Sequence, residues 1–294
     1  MRQYMRIFLI VIVIIVCGKA VGQGIFDNEE MLKSKFPTVG AYFWCDYGEY
    51  RNEIFFDFAI KNGISEIYLA QRDVDYPKSE NEYFAKTKYF LEMANKRNLN
   101  IYLLLGCQSN SKEAFESDLK KISTKIQRAI CYNNQAPDSL KFAGIHLDIE
   151  FDKIKCDTTI YQPFSDWIEQ SCGQYGKHIK MDFSIVKYTH KVNYKGQSVE
   201  LYKVVIDEGD RTFIQRYRNN ADSIFDYVKP FIEYAAPKNK TIVYTIQPSD
   251  FKGGYIQMYD QMKRLYDMTE CKNTQNTGIA IHTLTGWFIK AAKE

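Results

Sequence analysis

Close-set cysteine pairs are missing from this sequence: its seven cysteines, Cys17, Cys45, Cys107, Cys131, Cys156, Cys172 and Cys271, include no CxxC. That excludes the common structural zinc modules, whose ligands come in such pairs. A glycine-rich GxGxxG turn after the first β-rich run is also lacking, which argues against an open dinucleotide-binding sheet. Charge of one sign is scarce. The net charge is +3, and the Lys and Arg residues are dispersed, so no nucleic-acid surface is expected. Only one long apolar run exists, and no linker, internal repeat or low-complexity tract divides the chain.

That apolar run defines the compartment. Arg2 and Arg6 precede an unbroken stretch from Ile7 to Cys17, followed by Ala20-Val21-Gly22, which is the layout of a secretory signal peptide. The run is about half the roughly 20 residues that a membrane-spanning helix needs. The expectation is a secreted protein, extracellular or in a secretory or lysosomal lumen, with no membrane span after cleavage; an uncleaved anchor is the alternative. Residues 1–22 would be the signal, and the 272 residues from Gln23 to Glu294 one α/β domain.

Six cysteines remain after cleavage, an even number that permits three disulfides in an oxidising compartment. Six thiols allow 15 connectivities, which sequence alone does not resolve. Cys156 and Cys172 are the first pair expected to bridge, and buried free thiols are the alternative. Asn239-Lys240-Thr241 is a glycosylation sequon and calls for a surface position. Aromatics make up 15% of the chain; their faces stack on sugar rings, and compositional bias is the competing explanation.

Short β-branched or aromatic runs alternate with longer amphipathic stretches, the pattern of βα units around a parallel sheet. Eight strands are predicted: Val39–Trp44, Glu66–Ala70, Asn100–Leu105, Phe142–Glu150, Ile179–Val186, Thr212–Tyr217, Thr241–Gln247 and Gly278–Leu284. Helices are predicted at Arg51–Lys61, Glu82–Arg97, Lys112–Tyr132, Ile160–Tyr175, Val199–Ile206, Ala221–Tyr234 and Tyr255–Met268, with a last one from Trp287. Asn62-Gly63 suits a left-handed helix cap, and Ser111 suits a helix start. Eight such units fit a closed (β/α)8 TIM barrel.

The fourth strand carries the chemistry. Alternation puts Gly144, His146, Asp148 and Glu150 on one face and Ile145, Leu147 and Ile149 on the other. The apolar face must meet the helices. The three titratable groups then point into the barrel and rise toward its carboxyl end, where this fold places catalysis. A satisfied structural network is the alternative.

This segment resembles the fourth-strand motif DGxDxDxE of family 18 glycoside hydrolases, the chitinase-like barrels, and is similar to the GIHLDIE-type strand of secreted barrels related to glycoside hydrolases. The last strand, Gly278-Ile279-Ala280-Ile281-His282, shares the resemblance. It implies Glu150 as general acid, Asp148 as the carboxylate that orients the substrate's acetamide, and Tyr217 as the assisting sixth-strand tyrosine. A Glu beside another carboxylate and away from bulk water is suited to protonating a leaving oxygen.

The departures are specific. Ala143 and His146 replace the motif's first and middle Asp, and Arg218 replaces the Asp after the tyrosine. Leu104-Leu105-Gly106-Cys107 stands where the family has a serine and paired glycines. An ordinary two-carboxylate mechanism needs a second acid about 5–10 Å from Glu150. Asp46, Asp73 and Asp182 are the candidates at strand ends, whereas Gln247, on the seventh strand, is an amide and no nucleophile.

Substrate-binding residues are expected at His146, Asp182, Gln247, His282, Trp287 and Trp44. His282 could equally be a core histidine, Trp287 and the Tyr42 and Trp44 pair could be packing residues, and Arg72 with Asp73 a solvated turn. The leading expectation is a monomeric hydrolase of O-glycosidic bonds in a polysaccharide or glycan, needing neither cofactor nor metal. A non-catalytic carbohydrate-binding barrel is the first alternative. A metal-dependent phosphodiesterase using His146, Asp148, Glu150 and His282 is the second.

Overall fold

The computed structural model describes residues 36, 38–45, 52–71, 79–109, 111–150, 158–186, 189–270 and 276–291. The expected signal peptide, Asp46, Arg72, Asp73, Cys156 and Cys271 lie outside them. The strands are β1 (Val39–Cys45), β2 (Glu66–Gln71), β3 (Asn100–Gln108), β4 (Gly144–Glu150), β5 (Lys180–Ile185), β6 (Lys191–Tyr194), β7 (Gln197–Glu200), β8 (Arg211–Gln215), β9 (Thr241–Ile246) and β10 (Thr277–Ile281). The helices are α1 (Asn52–Lys61), α2 (Glu80–Asn95), α3 (Lys112–Gln135), α4 (Tyr161–Tyr175), α5 (Leu201–Glu208), α6 (Ala221–Ala235), α7 (Gly254–Glu270) and α8 (Leu284–Ala291).

Eight strands close a parallel barrel in the order β1-β2-β3-β4-β5-β8-β9-β10, and β10 returns to β1. This is a single (β/α)8 barrel, as the alternation of elements predicts. Alternating burial explains why it closes. Ile145, Leu147 and Ile149 of β4 and Met181, Phe183 and Ile185 of β5 face outward into the apolar layer shared with the helices. A smaller cluster fills the interior, with Tyr42, Tyr68, Tyr102, Leu104, Phe213 and Val243 at its centre. Space for these rings comes from the strand starts. A β-carbon at Gly40 would collide with the Tyr68 ring, and one at Gly144 with the Tyr102 ring.

Local signals end and begin the helices where the sequence places them. Gly63 takes φ 76° after α1, and the Ser111 hydroxyl accepts from the Ala114 amide, 3.2 Å, at the start of α3. Two elements depart from the sequence reading. The β6–β7 hairpin is inserted after β5, turning through Lys195 (φ 50°) and Gly196 (φ 79°), two left-handed residues that give a tight hairpin its twist. Val199, expected in a helix, pairs with Val192 instead, and the helix starts at Leu201. Leu284, expected in the last strand, opens α8.

The thiols of Cys107 and Cys172 are free. The bridge expected between Cys172 and Cys156 is therefore not made. Cys172 sits on α4 packed against the apolar layer, and burial pushes its thiol up to about 12. No described helix is long and apolar enough to cross a membrane.

Candidate active site

The barrel interior is built in tiers. Its floor is ionic. Arg211, the first residue of β8, binds Asp182 of β5 through Nε and Nη2, the closest contact being 2.6 Å, and reaches Glu66 of β2 at 2.7 Å. The guanidinium also lies over the Tyr102 ring, 4.5 Å from its centre, and the Tyr68 hydroxyl donates to Glu66 at 3.0 Å. Asp182 is fully buried. Burial raises its pKa to about 6, even though Arg211 pulls it down.

The middle tier is neutral and polar. His146 is fully buried, its Nε2 lying 2.8 Å from the Ser184 hydroxyl and 3.0 Å from that of Tyr42; those hydroxyls are 2.9 Å apart. Burial, reinforced by Arg211, drives the His146 pKa well below the usual histidine range, so the ring is uncharged. Its Nδ1 has no partner. A proton there would be a buried, unsatisfied donor costing about 1–3 kcal/mol, which assigns the proton to Nε2.

The top tier holds a carboxylate pair. Asp148 and Glu150 occupy alternate positions at the end of β4, both partly accessible. Gln215, at the end of β8, donates to Asp148 at 2.9 Å, and Gln108, at the end of β3, donates to Glu150. Burial, then the negative charge of Glu150, raises the Asp148 pKa to about 7, against the lowering effect of Gln215. Burial and the neighbouring carboxylate thus leave the Asp148 carboxyl partly protonated near neutral pH. A side chain at position 106 would run into the Asp148 carbonyl, so Gly106 lets β3 approach closely here.

An aromatic wall completes the mouth. His282, just after β10, contacts the rings of Trp44 at 5.1 Å and of Tyr42 and Tyr217 at 5.2 Å each. The His282 pKa is lowered, chiefly by burial. The Tyr217 hydroxyl is held in its neutral form by burial and by the surrounding Tyr42, Asp148, Glu150 and Asp250.

The sequence-predicted residues Asp148, Glu150, Tyr217, His282 and Trp44 thus come together, with His146 one tier below. Gln247 stays near the rim after β9, its amide tied to Ser249 at 2.6 Å. Two expectations are corrected. Asp182 faces the interior but lies in the floor, neutralised by Arg211, and cannot serve as a second acid or touch a sugar at the mouth. Trp287 is 1% exposed in the helix layer against Phe58 and Tyr259, so it packs the core.

Three residues escaped the sequence reading. Gln215 and Gln108 are legible in retrospect, because each shares the inward face of its strand with Phe213 or Leu104 and ends that strand at the mouth. Asp250 is the third. It follows β9 in a short 3-10 turn, its charge bears on Tyr217, and its Oδ2 is buried without a hydrogen-bond partner. Among the described residues no three His, Cys, Asp or Glu side chains converge as a metal site, and the Nε2 of His146 is already engaged.

No protein-family model matches the chain, and no curated protein matches it. Solved structures do share its fold. A family 18 chitinase from Pseudoalteromonas aurantia superposes with a TM-score of 0.57 at 11% identity, over 87% of this chain and 99% of that one. A chitinase from Bacteroides thetaiotaomicron gives 0.56 at 14% identity, over 87% and 94%. A family 18 chitinase from Cycas revoluta, in complex with (GlcNAc)4, gives 0.50 at 9% identity, over 87% and 98%. The chain has the fold of the family 18 barrels, as the fourth strand led us to expect.

Proposed function

We propose that the protein is a secreted glycoside hydrolase that cleaves O-glycosidic bonds in a polysaccharide or glycan, with Glu150 as acid and base and Asp148 as its partner. The observation that carries this reading is the Asp148 and Glu150 pair at the barrel mouth, one carboxyl raised to about 7 beside the other. Glu150, at the very end of β4, protonates the departing oxygen and then takes a proton from the incoming water. Asp148, held by Gln215, orients and balances charge on the sugar side, and the Tyr217 hydroxyl donates to oxygen developing negative charge.

Where the sugar carries a 2-acetamido group, that group itself can act as the nucleophile, and no protein nucleophile is needed. Where it does not, Asp250, whose charge bears on Tyr217, is the candidate for that role. Trp44 offers the ring face on which a sugar stacks. Secretion is supported by the amino-terminal sequence, and Asn239, exposed at a turn, offers the surface position that glycosylation of its sequon needs.

The test is hydrolysis of a panel of aryl glycosides and glycans by wild type and Glu150→Gln. Wild-type turnover lost in the variant is the expected result; equal inactivity on every substrate refutes the enzymatic reading. A non-catalytic carbohydrate-binding barrel is favoured by one observation, the Gln108 amide that already occupies a Glu150 oxygen. Glycan binding that persists in Glu150→Gln, without turnover in wild type, is its signature.

A further inference from the structure

A second concave surface lies away from the mouth, on the outer flank of the barrel. Helices α3 and α4 leave between them a groove of about 470 Å³, within the roughly 300–1,000 Å³ of small-ligand sites. Trp167 of α4 is fixed in its wall. Its indole N–H donates to Ser123 of α3 at 3.0 Å and its ring runs nearly parallel to that of Phe164, 6.1 Å away, so the indole is held in place where it lines the groove. Tyr175 lies deeper, its hydroxyl held by Gln127 at 3.0 Å.

Around these rings stand polar heads with nothing to do. Glu116 and Lys120 are one helical turn apart on α3, and Gln170 and Gln174 one turn apart on α4; all four line the groove and are exposed. Residues at i and i+4 are neighbours on a helix, and a Glu preceding a Lys is the favourable order. Glu116 and Lys120 nevertheless form no ion pair, and neither glutamine amide has a hydrogen-bond partner among the described residues. A rigid aromatic face flanked by free amides, a carboxylate and an ammonium is the chemistry that recognises a pyranose: C–H face on the ring, hydroxyls on the planar polar groups.

From this arrangement we infer that the α3–α4 groove is a second carbohydrate-binding site, taking one or two residues of an oligosaccharide on Trp167 independently of the barrel mouth. It does not depend on Glu150 acting as an acid. Glu116 and Pro163 lie near the first turns of their helices, so the groove begins at the rim that also bears the mouth. A polymer held there is kept beside the reactive pair.

The chain has three tryptophans, and they fall in three different places: Trp44 at the mouth, Trp167 in the groove and Trp287 in the core. Their indole N–H signals in a nitrogen–proton correlation spectrum report each place separately. Glu150→Gln protein is titrated with chitotetraose, cellotetraose and laminaritetraose. A saturable shift of the Trp167 signal with at least one sugar, with Trp287 unmoved, is expected. Gln170→Ala/Gln174→Ala, both exposed positions, should weaken that titration roughly ten-fold and leave the Trp44 titration unchanged.

A Trp167 signal that no sugar moves at millimolar concentration overturns the inference, as does a double variant that binds like its parent. A Trp167 signal that shifts with protein concentration alone identifies the occupant as a second copy of the chain and also overturns it. Failure of the mouth reading shows elsewhere, in a silent Trp44 and absent turnover.

Discussion

Asp148 makes the carboxylate pair costly to the fold, and the cost can be measured. Its carboxyl rises from 3.8 to about 7, roughly three units, and each unit is about 1.4 kcal/mol of differential stabilisation. That sets an upper value near 4 kcal/mol; the partial accessibility of the side chain reduces it to about 2–4 kcal/mol. The sign follows from proton linkage. The folded state holds its proton more tightly than the unfolded chain, so stability falls as pH rises from about 4 through about 7 and stays low above that.

Asp148→Asn removes the titration while keeping an oxygen for the Gln215 amide. The variant should match wild type in urea unfolding near pH 4 and exceed it by about 2–4 kcal/mol near pH 8. Glu150→Gln removes the second-ranked cause of the shift, so it should lower the Asp148 pKa and narrow the gap. A difference between wild type and Asp148→Asn that does not grow with pH would show that Asp148 is not held in its neutral form by burial and Glu150, and this account of the site would fall with it.

Two further outcomes follow from the floor and the helix layer. Arg211→Leu strands the buried Asp182 and the adjacent Glu66, and should cost about 3–5 kcal/mol in urea unfolding; Arg211→Leu/Asp182→Leu should recover part of the loss, and no recovery contradicts the pairing. Trp287→Ala should cost about 3–5 kcal/mol as a large-to-small core change and leave the Trp44 indole response to sugars intact; a lost response would return Trp287 to the binding site.

The barrel was legible because two periodicities alternate along the chain, and strand four because its apolar and titratable residues separate cleanly by parity. Parity gives the face of a residue but not its depth. Asp182 and Asp148 both point inward, yet Asp182 is near the start of its strand and falls in the floor, whereas Asp148 is near the end and reaches the mouth. The floor partner, Arg211, comes from a strand 29 residues away, and no local pattern announces that pairing. Trp287 failed for a related reason: its position after the last strand was clear, but helix α8 begins at Leu284 and turns the indole toward Phe58 and Tyr259. The β6–β7 hairpin was missed because Lys195-Gly196 is a weaker turn signal than Asn-Gly or Asp-Gly, and Asp250 because it stands beyond the strand, where alternation gives no guidance.

The ionic floor also decides the traffic through the molecule. Arg211, clamped by Asp182 and Glu66 and stacked against the Tyr102 and Phe213 rings, fills one end, so the barrel is a cup and not a tunnel. A chain molecule cannot be threaded along its axis; it has to lie across the rim and be withdrawn by the way it came. For the proposed hydrolase, how long a stretch is gripped, and whether cutting begins at an end or within the chain, is thereby left to whatever surrounds the rim and to the proposed hold on the flank.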